Sequence, residues 1–236
     1  MANRNAQHVL GQITEPLKKK EGFRHLWLGD SGMGKTYANR ILLAYIKKHK
    51  LADLIFTTDE KNKWEQQYAG TPRINPNHLR NNPPSGKEDK THVVFRGVAA
   101  TGDTANAIDY GNLAEMGWEI SRYKPCSIVF NIDELSDATN GFQHFESDSV
   151  ASLYRKGRSV SISIIAGTQM PQELPRAVFA LSDTIVVFRM SGREVAYLVK
   201  YHIAVEEDIE IIQNLKVGEF RFFRKSFPRD TNVYKF

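Results

Sequence analysis

Gly29-Asp30-Ser31-Gly32-Met33-Gly34-Lys35-Thr36 is the stretch whose reading decides the fold. These eight residues fill every fixed position of the pattern G-x-x-x-x-G-K-[ST]. His25-Leu26-Trp27-Leu28 precedes them as a short apolar run of buried-strand length, and Tyr37 to Ile46 follows with apolar residues at helical spacing. Glycines at 29, 32 and 34 let the backbone curl until successive N–H groups point inward at an anion. The helix starting near Lys35 adds the positive end of its dipole. Lys35 can reach β- and γ-phosphates, and the Thr36 hydroxyl can bind Mg²⁺. The candidate nucleotide-binding residues are therefore 29 to 36, with Tyr37 directly after them.

A second constellation lies about a hundred residues on. Ser127-Ile128-Val129-Phe130-Asn131-Ile132 reads as a buried strand that delivers Asp133-Glu134 at its C-terminal end, the edge at which open α/β sheets bind ligands. Asp133 can hold the Mg²⁺ water shell beside Thr36. Glu134 can orient and deprotonate a water for attack on a γ-phosphate. Ser161 to Gly167 reads as a further strand, ending in Thr168-Gln169, whose amide can sense the γ-phosphate. Arg155-Lys156-Gly157-Arg158 precedes that strand, and an arginine from this turn could stabilise transition-state charge in a neighbouring subunit.

The rest of the chain is compatible with one α/β domain over 1–236. Asp53 to Thr58 and Thr91 to Arg96 read as strands, and Thr104 to Tyr123 as an amphipathic helix. Strands alternating with helices argue for a wound, mostly parallel sheet. Two predicted strands separate the glycine loop from Asp133, leaving room for another strand between the two motif strands. Residues 1–22 read as a solvated lead-in helix or arm, or else as a contact to a neighbouring subunit or to phosphates. Residues 70–90, with Pro72, Pro76, Pro83, Pro84 and Gly86, read as a long loop. Arg73, Arg80, Lys87 and Lys90 could bring that loop to DNA or simply solvate it. The late series Arg221, Arg224, Lys225 and Arg229 could face DNA or a capsid, or be exposed strand polarity. Lys47-Lys48-His49-Lys50 suits the last turn of a helix.

Composition limits the functional classes. At 41% apolar and 25% charged residues the chain is ordinary for a globular protein. It has no run of 18 apolar residues and no apolar leader at the N-terminus. The single cysteine, Cys126, cannot form an internal disulfide, and no Cys/His cluster has zinc spacing. A net charge of +5 permits a polyanionic partner without requiring one. A nucleotide kinase would need a substrate-base pocket and a lid with arginines, and the sequence singles out neither.

Together these residues resemble the FtsK/HerA superfamily of ring-forming, DNA-translocating ATPases. The most telling segment is Gly157-Arg158, a strand, then Gly167-Thr168-Gln169-Met170-Pro171, which is similar to the family's Gly/Ala-Arg, strand, A-T-Q-x-P. Leu181 to Arg189 is similar to the turn and strand that follow, and Asp59-Glu60-Lys61 is a loose version of the family's D-x-K. The resemblance implies a RecA-like P-loop NTPase fold of the ASCE type, with ATP and Mg²⁺ between subunits. It makes Arg158 the arginine finger acting in trans, with Arg155 the second choice, and Gln169 the sensor. The sequence lacks the membrane helices of cellular pumps and the N-terminal β-barrel of HerA helicases. The core is therefore most similar to genome-packaging ATPases of icosahedral, internal-membrane, double-stranded DNA viruses. That implies a ring, expected to be a hexamer, acting on duplex DNA without sequence preference. It would dock on capsid vertex or portal-type proteins and be found at the packaging vertex of the virion and in host cytoplasm. The alternatives are a plasmid or phage DNA-transfer or export ATPase, and a non-translocating ATP-dependent assembly switch.

Overall fold

Period-two side-chain alternation along five-residue runs such as Arg24–Leu28 sends neighbouring residues to opposite faces of a sheet, and here both faces are covered. The structure, a computed structural model, describes residues 4–58, 91–95, 110–123, 126–139, 144–145, 147–225 and 230–236. Its strands are β1 (Arg4–Asn5), β2 (Arg24–Leu28), β3 (Leu54–Thr58), β4 (Thr91–Phe95), β5 (Ile128–Ile132), β6 (Ile162–Thr168), β7 (Thr184–Val187), β8 (Glu219–Arg224) and β9 (Val233–Lys235). Its α-helices are α1 (Ala6–Ile13), α2 (Glu15–Lys18), α3 (Lys35–Lys48), α4 (Tyr110–Tyr123), α5 (Asp148–Lys156), α6 (Arg176–Leu181), α7 (Gly192–Lys200) and α8 (Glu206–Gln213).

The strands form one sheet in the order β1-β9-β8-β7-β2-β6-β5-β3-β4. The six from β7 to β4 are mutually parallel, while β8 runs antiparallel to both β7 and β9. This is the expected wound, mostly parallel α/β sheet. A strand does separate the two motif strands, β2 and β5, but it is the later β6. The two intervening strands, β3 and β4, lie outside β5.

Alternation divides the core into two layers. Trp27, Ile55, Val129, Ile165, Val186 and Phe220 pack against α1 and α3. Leu26, Phe56, Phe130, Ile164 and Val187 point the other way, against helices α4 to α8. The first layer corrects the reading of residues 1–22 as solvated. Val9, Leu10, Ile13 and Leu17 are buried, and Arg4–Asn5 pairs with β9 at the sheet edge. The apolar residues at 9, 10 and 13 of α1 and at 17 of α2 join one buried cluster, which the polar surroundings obscure in the sequence.

The late basic series does not form one surface. Arg221 is fully buried and pairs with the equally buried Asp208 at 2.7 Å. Arg224 bonds Glu15 at 3.0 Å, and Lys225 donates to the Ala180 carbonyl. Arg229, the 70–90 loop, Asp59-Glu60-Lys61 and the start of the expected 104–123 helix lie outside the described residues. Among the described residues, no helix is long and apolar enough to cross a membrane.

Candidate active site

Parallel strands bring their following turns to one edge, and that edge gathers the turns after β2, β5 and β6. After β2, Gly29, Gly32 and Gly34 all have positive φ, at 149°, 76° and 110°. L-residues rarely adopt these angles, which accounts for the glycine spacing. The loop is braced from behind. Asp30 N–H donates to the Arg189 carbonyl at 2.9 Å, and Gly218 N–H donates to the Met33 carbonyl at 3.1 Å. A Cβ on Gly29 would meet Phe188 Cβ at 2.7 Å.

Ser31 and Gly32 are exposed at the loop tip. Met33 is only 2% exposed, so it plugs the core and offers the site its backbone alone. Lys35 Nζ donates to the carbonyls of Gly29 at 2.5 Å and Asp30 at 2.9 Å, which sets the ammonium across the loop. Thr36 and Tyr37 occupy the first turn of α3, with the Tyr37 ring 60% exposed. Burial pushes the Asp30 carboxyl above the usual range, and the nearby Glu194 adds to the shift.

Asp133 and Glu134 follow β5, both half-buried. Asp133 N–H donates to Thr58 Oγ1 at 3.3 Å. The Glu134 carboxylate is held from two sides. Its Oε1 accepts from Ser136 Oγ at 2.9 Å and Gln169 N–H at 3.2 Å, and its Oε2 from Gln169 Nε2 at 3.4 Å. The candidate base and sensor are thus in direct contact, because β6 lies beside β5. Gly167 permits this closeness, since a Cβ there would sit 2.7 Å from the Asp133 carbonyl oxygen.

A buried polar bridge ties the loop helix to the carboxylate strand. Asn39 Nδ2 on α3 donates to Asn131 Oδ1 at 2.6 Å, and Asn131 Nδ2 donates to Thr57 Oγ1 at 3.3 Å. All three residues are 0–2% exposed. A single amide inside an apolar strand was the available signal. Polar side chains at such positions need partners, but the sequence does not say which.

Arg158 stands apart from this edge. It lies in the turn before β6, where its carbonyl accepts from Gly22 N–H. The seven residues of β6 span roughly 20 Å at about 3.3 Å each, so Arg158 and Gln169 bracket the strand. Arg158 Nη2 is bound to both carboxylate oxygens of Asp183 at 2.7 and 2.8 Å. With Lys20, Arg155 and Lys156 it lines an open basic cleft of about 640 Å³.

Arg24, which the sequence does not single out, organises this end. Its guanidinium is buried and donates to the carbonyls of Leu153, Tyr154, Ile162 and Phe23 at 2.7–2.9 Å. It thereby caps the C-terminal end of α5. Burial lowers its pKa to about 10. An arginine directly before an apolar strand run was the only trace of this role.

Chemically, one edge carries a glycine loop of the kind that can cradle an anion, a lysine, a hydroxyl and two acids. Hard oxygen donors such as Thr36 Oγ1 and the Asp133 carboxylate fit Mg²⁺, which binds through one or two protein oxygens beside substrate phosphates.

No family model matches this sequence, and no curated protein matches it. The fold is shared with solved structures. The genome-packaging NTPase B204 from Sulfolobus turreted icosahedral virus 2, in complex with ATP-gammaS, has a TM-score of 0.69 at 16% identity, covering 91% of this chain and 97% of that one. VirB4 of Thermoanaerobacter pseudethanolicus has a TM-score of 0.61 at 14% identity, covering 90% and 88%. The pCW3 conjugation coupling protein TcpA, with ATPgS, has a TM-score of 0.56 at 13% identity, covering 92% and 60%. At these identities the likeness shows the fold, which is that of RecA-like P-loop ATPases and fits the FtsK/HerA resemblance.

Proposed function

We propose that this chain is an ATPase that moves duplex DNA, working as a ring of identical subunits in packaging a viral genome into a preformed capsid. The observation that carries the reading is β6. It sets Gln169 against Glu134 at the edge that carries the glycine loop, and leaves Arg158 at the far end, where it would serve a neighbouring copy. ATP would lie in the 29–36 cradle, its phosphates met by loop N–H groups and Lys35. Mg²⁺, held by Thr36 and Asp133, would neutralise phosphate charge. Glu134, fixed by Ser136 and Gln169, would orient a water and take its proton as the water attacks the γ-phosphorus, leaving ADP and phosphate. Gln169 would couple the state of that site to β6 and the turn before it. Arg158 of the adjacent subunit would meet the charge that develops on the transferred phosphoryl group.

The likeness to a genome-packaging NTPase and to VirB4 and TcpA supports a DNA-handling role. A motor that accepts any sequence grips backbone phosphates, so DNA binding is expected to weaken steeply with salt. The test is steady-state ATP hydrolysis with and without long duplex DNA, for the native protein, Glu134→Gln and Arg158→Ala. DNA stimulation, with both variants inactive and Glu134→Gln still binding ATP, is expected. Normal hydrolysis by Arg158→Ala with no effect of DNA would overturn the translocase reading in favour of a nucleotide-dependent assembly switch. Capture of the phosphoryl group by an acceptor other than water would point to a kinase.

A further inference from the structure

We infer that Asp183 is a positioning residue that holds the Arg158 guanidinium ready for a neighbouring subunit's nucleotide, and that this marks Arg158, rather than Arg155, as the finger. The assignment rests on the shared-site reading above.

Asp183 is itself rigidly placed. Its backbone N–H donates to the Arg24 carbonyl at 2.9 Å, its carbonyl accepts from Lys225 N–H at 3.1 Å, and its Oδ2 accepts from Arg24 N–H at 2.8 Å. The residues that fix it therefore lie in β2 and directly after β8. Against this anchor Arg158 is held by one corner. The bonds to Asp183, and a longer one of 3.4 Å to the Leu181 carbonyl, all come from Nη2. The side chain remains 49% exposed, and among the described residues Nε and Nη1 make no bond. A guanidinium carries five donors in a planar fork, so one held by a single nitrogen still presents donors to a phosphate.

The base of the turn is equally firm. Gly22 has no room for a Cβ, which would lie 2.8 Å from Arg158 Cα, and Ser161 Oγ donates to the Lys20 carbonyl at 2.7 Å. Arg155, in contrast, is exposed on the last turn of α5, and its side chain makes no hydrogen bond among the described residues. Ordering a long, free arginine on binding loses rotamer entropy, while Arg158 has lost it on folding.

The experiment uses subunit mixing. In a ring of Asp183→Asn subunits every interface would have a poorly placed finger beside an intact cradle, and kcat is expected to fall about 10-fold, with KM little changed, as for a misplaced catalytic group. Adding Glu134→Gln subunits supplies well-held fingers to intact sites, so turnover per Asp183→Asn subunit should rise towards the native value. Mixtures of Arg158→Ala with Glu134→Gln should be rescued in the same way. If the Arg158→Ala mixture is not rescued, the shared-site reading fails. If it is rescued, but Asp183→Asn alone turns over normally or is not rescued by mixing, the positioning role fails and the site reading stands. Arg158→Lys keeps the charge but not the fork, so it tests the proposal even if Asp183→Asn does not fold. Inactivity is expected, and near-native turnover would overturn the proposal.

Discussion

Gly167→Ala tests whether the closeness of β6 to the carboxylate turn matters. Gly167 is not among the glycines with positive φ, so alanine can adopt its backbone and the effect is steric. The new Cβ would lie 2.7 Å from the Asp133 carbonyl oxygen, where ordinary contact begins at 3.4 Å. The turn must therefore move by roughly 0.7 Å, the difference between those distances. Overpacking of this kind costs about 1–3 kcal/mol, offset by up to about 1 kcal/mol from the stiffer unfolded chain. The net loss of about 1–2 kcal/mol corresponds to a fall in Tm of about 3–6 °C at this chain length. Displacing Asp133 and Glu134 by that amount should lower kcat about 10-fold or more, given about 100-fold for 1 Å. Calorimetry and steady-state ATP hydrolysis give the two readouts. Gly11→Ala, where a Cβ meets nothing within 4 Å, is the control and should stabilise. A Gly167→Ala protein with native kcat would refute the claim that the backbone approach sets the geometry of the acids.

Three further predictions follow from buried polar groups. Asp208→Ala leaves the Arg221 guanidinium buried without its carboxylate and removes the acceptor for Val205 N–H at the start of α8; urea titration should show a loss of about 3–5 kcal/mol. Asn131→Ala strips Asn39 Nδ2 of its partner and should destabilise by about 1–3 kcal/mol, with Asn39→Ala non-additive in a double-mutant cycle. His25 is fully buried, with Nδ1 against Thr184 Oγ1 at 2.7 Å, and burial depresses its pKa from 6.5 to about 3. Below about pH 6.5 the unfolded chain takes up a proton that the folded one refuses, so stability falls as pH drops, at up to about 1.4 kcal/mol per unit. Denaturant midpoints measured from about pH 7 to pH 5 should slope less in His25→Leu than in the native protein.

The placement of the glycine loop, both acids and Gln169 as candidate residues at one edge was legible because each is tied to a strand end by local pattern. Glycine spacing and the switch from strand to helix need no knowledge of distant residues. What sequence could not supply is lateral order. That β6 divides β2 from β5 depends on which strands pair, a matter of contacts over more than a hundred residues, and so the touching of Glu134 and Gln169 was invisible. Arg24 and Arg221 were passed over or left open for one reason: a charge on a strand reads as surface unless its buried partner is known. Asn131 was read inside a buried strand, but its partners Asn39 and Thr57 lie on distant elements. The lead-in segment failed in the opposite way, its buried Val9, Leu10, Ile13 and Leu17 being interleaved with His8, Gln12, Thr14 and Glu15 and followed by three lysines.

The place of β2 in the sheet also bears on how the chain reaches its structure. Both neighbours of β2 come late, with Phe23 meeting Ser163 across 140 residues and His25 meeting Thr184 across 159. The braces behind the glycine loop, Arg189 and Gly218, come later still. Non-local pairing of this kind folds slowly, and a growing chain would carry an apolar strand without sheet neighbours until its last third emerged from the ribosome. Refolding should therefore be limited by the joining of β6 and β7 to β2, and passing aggregates should form through that strand. The first motif to be synthesised is among the last to take its shape.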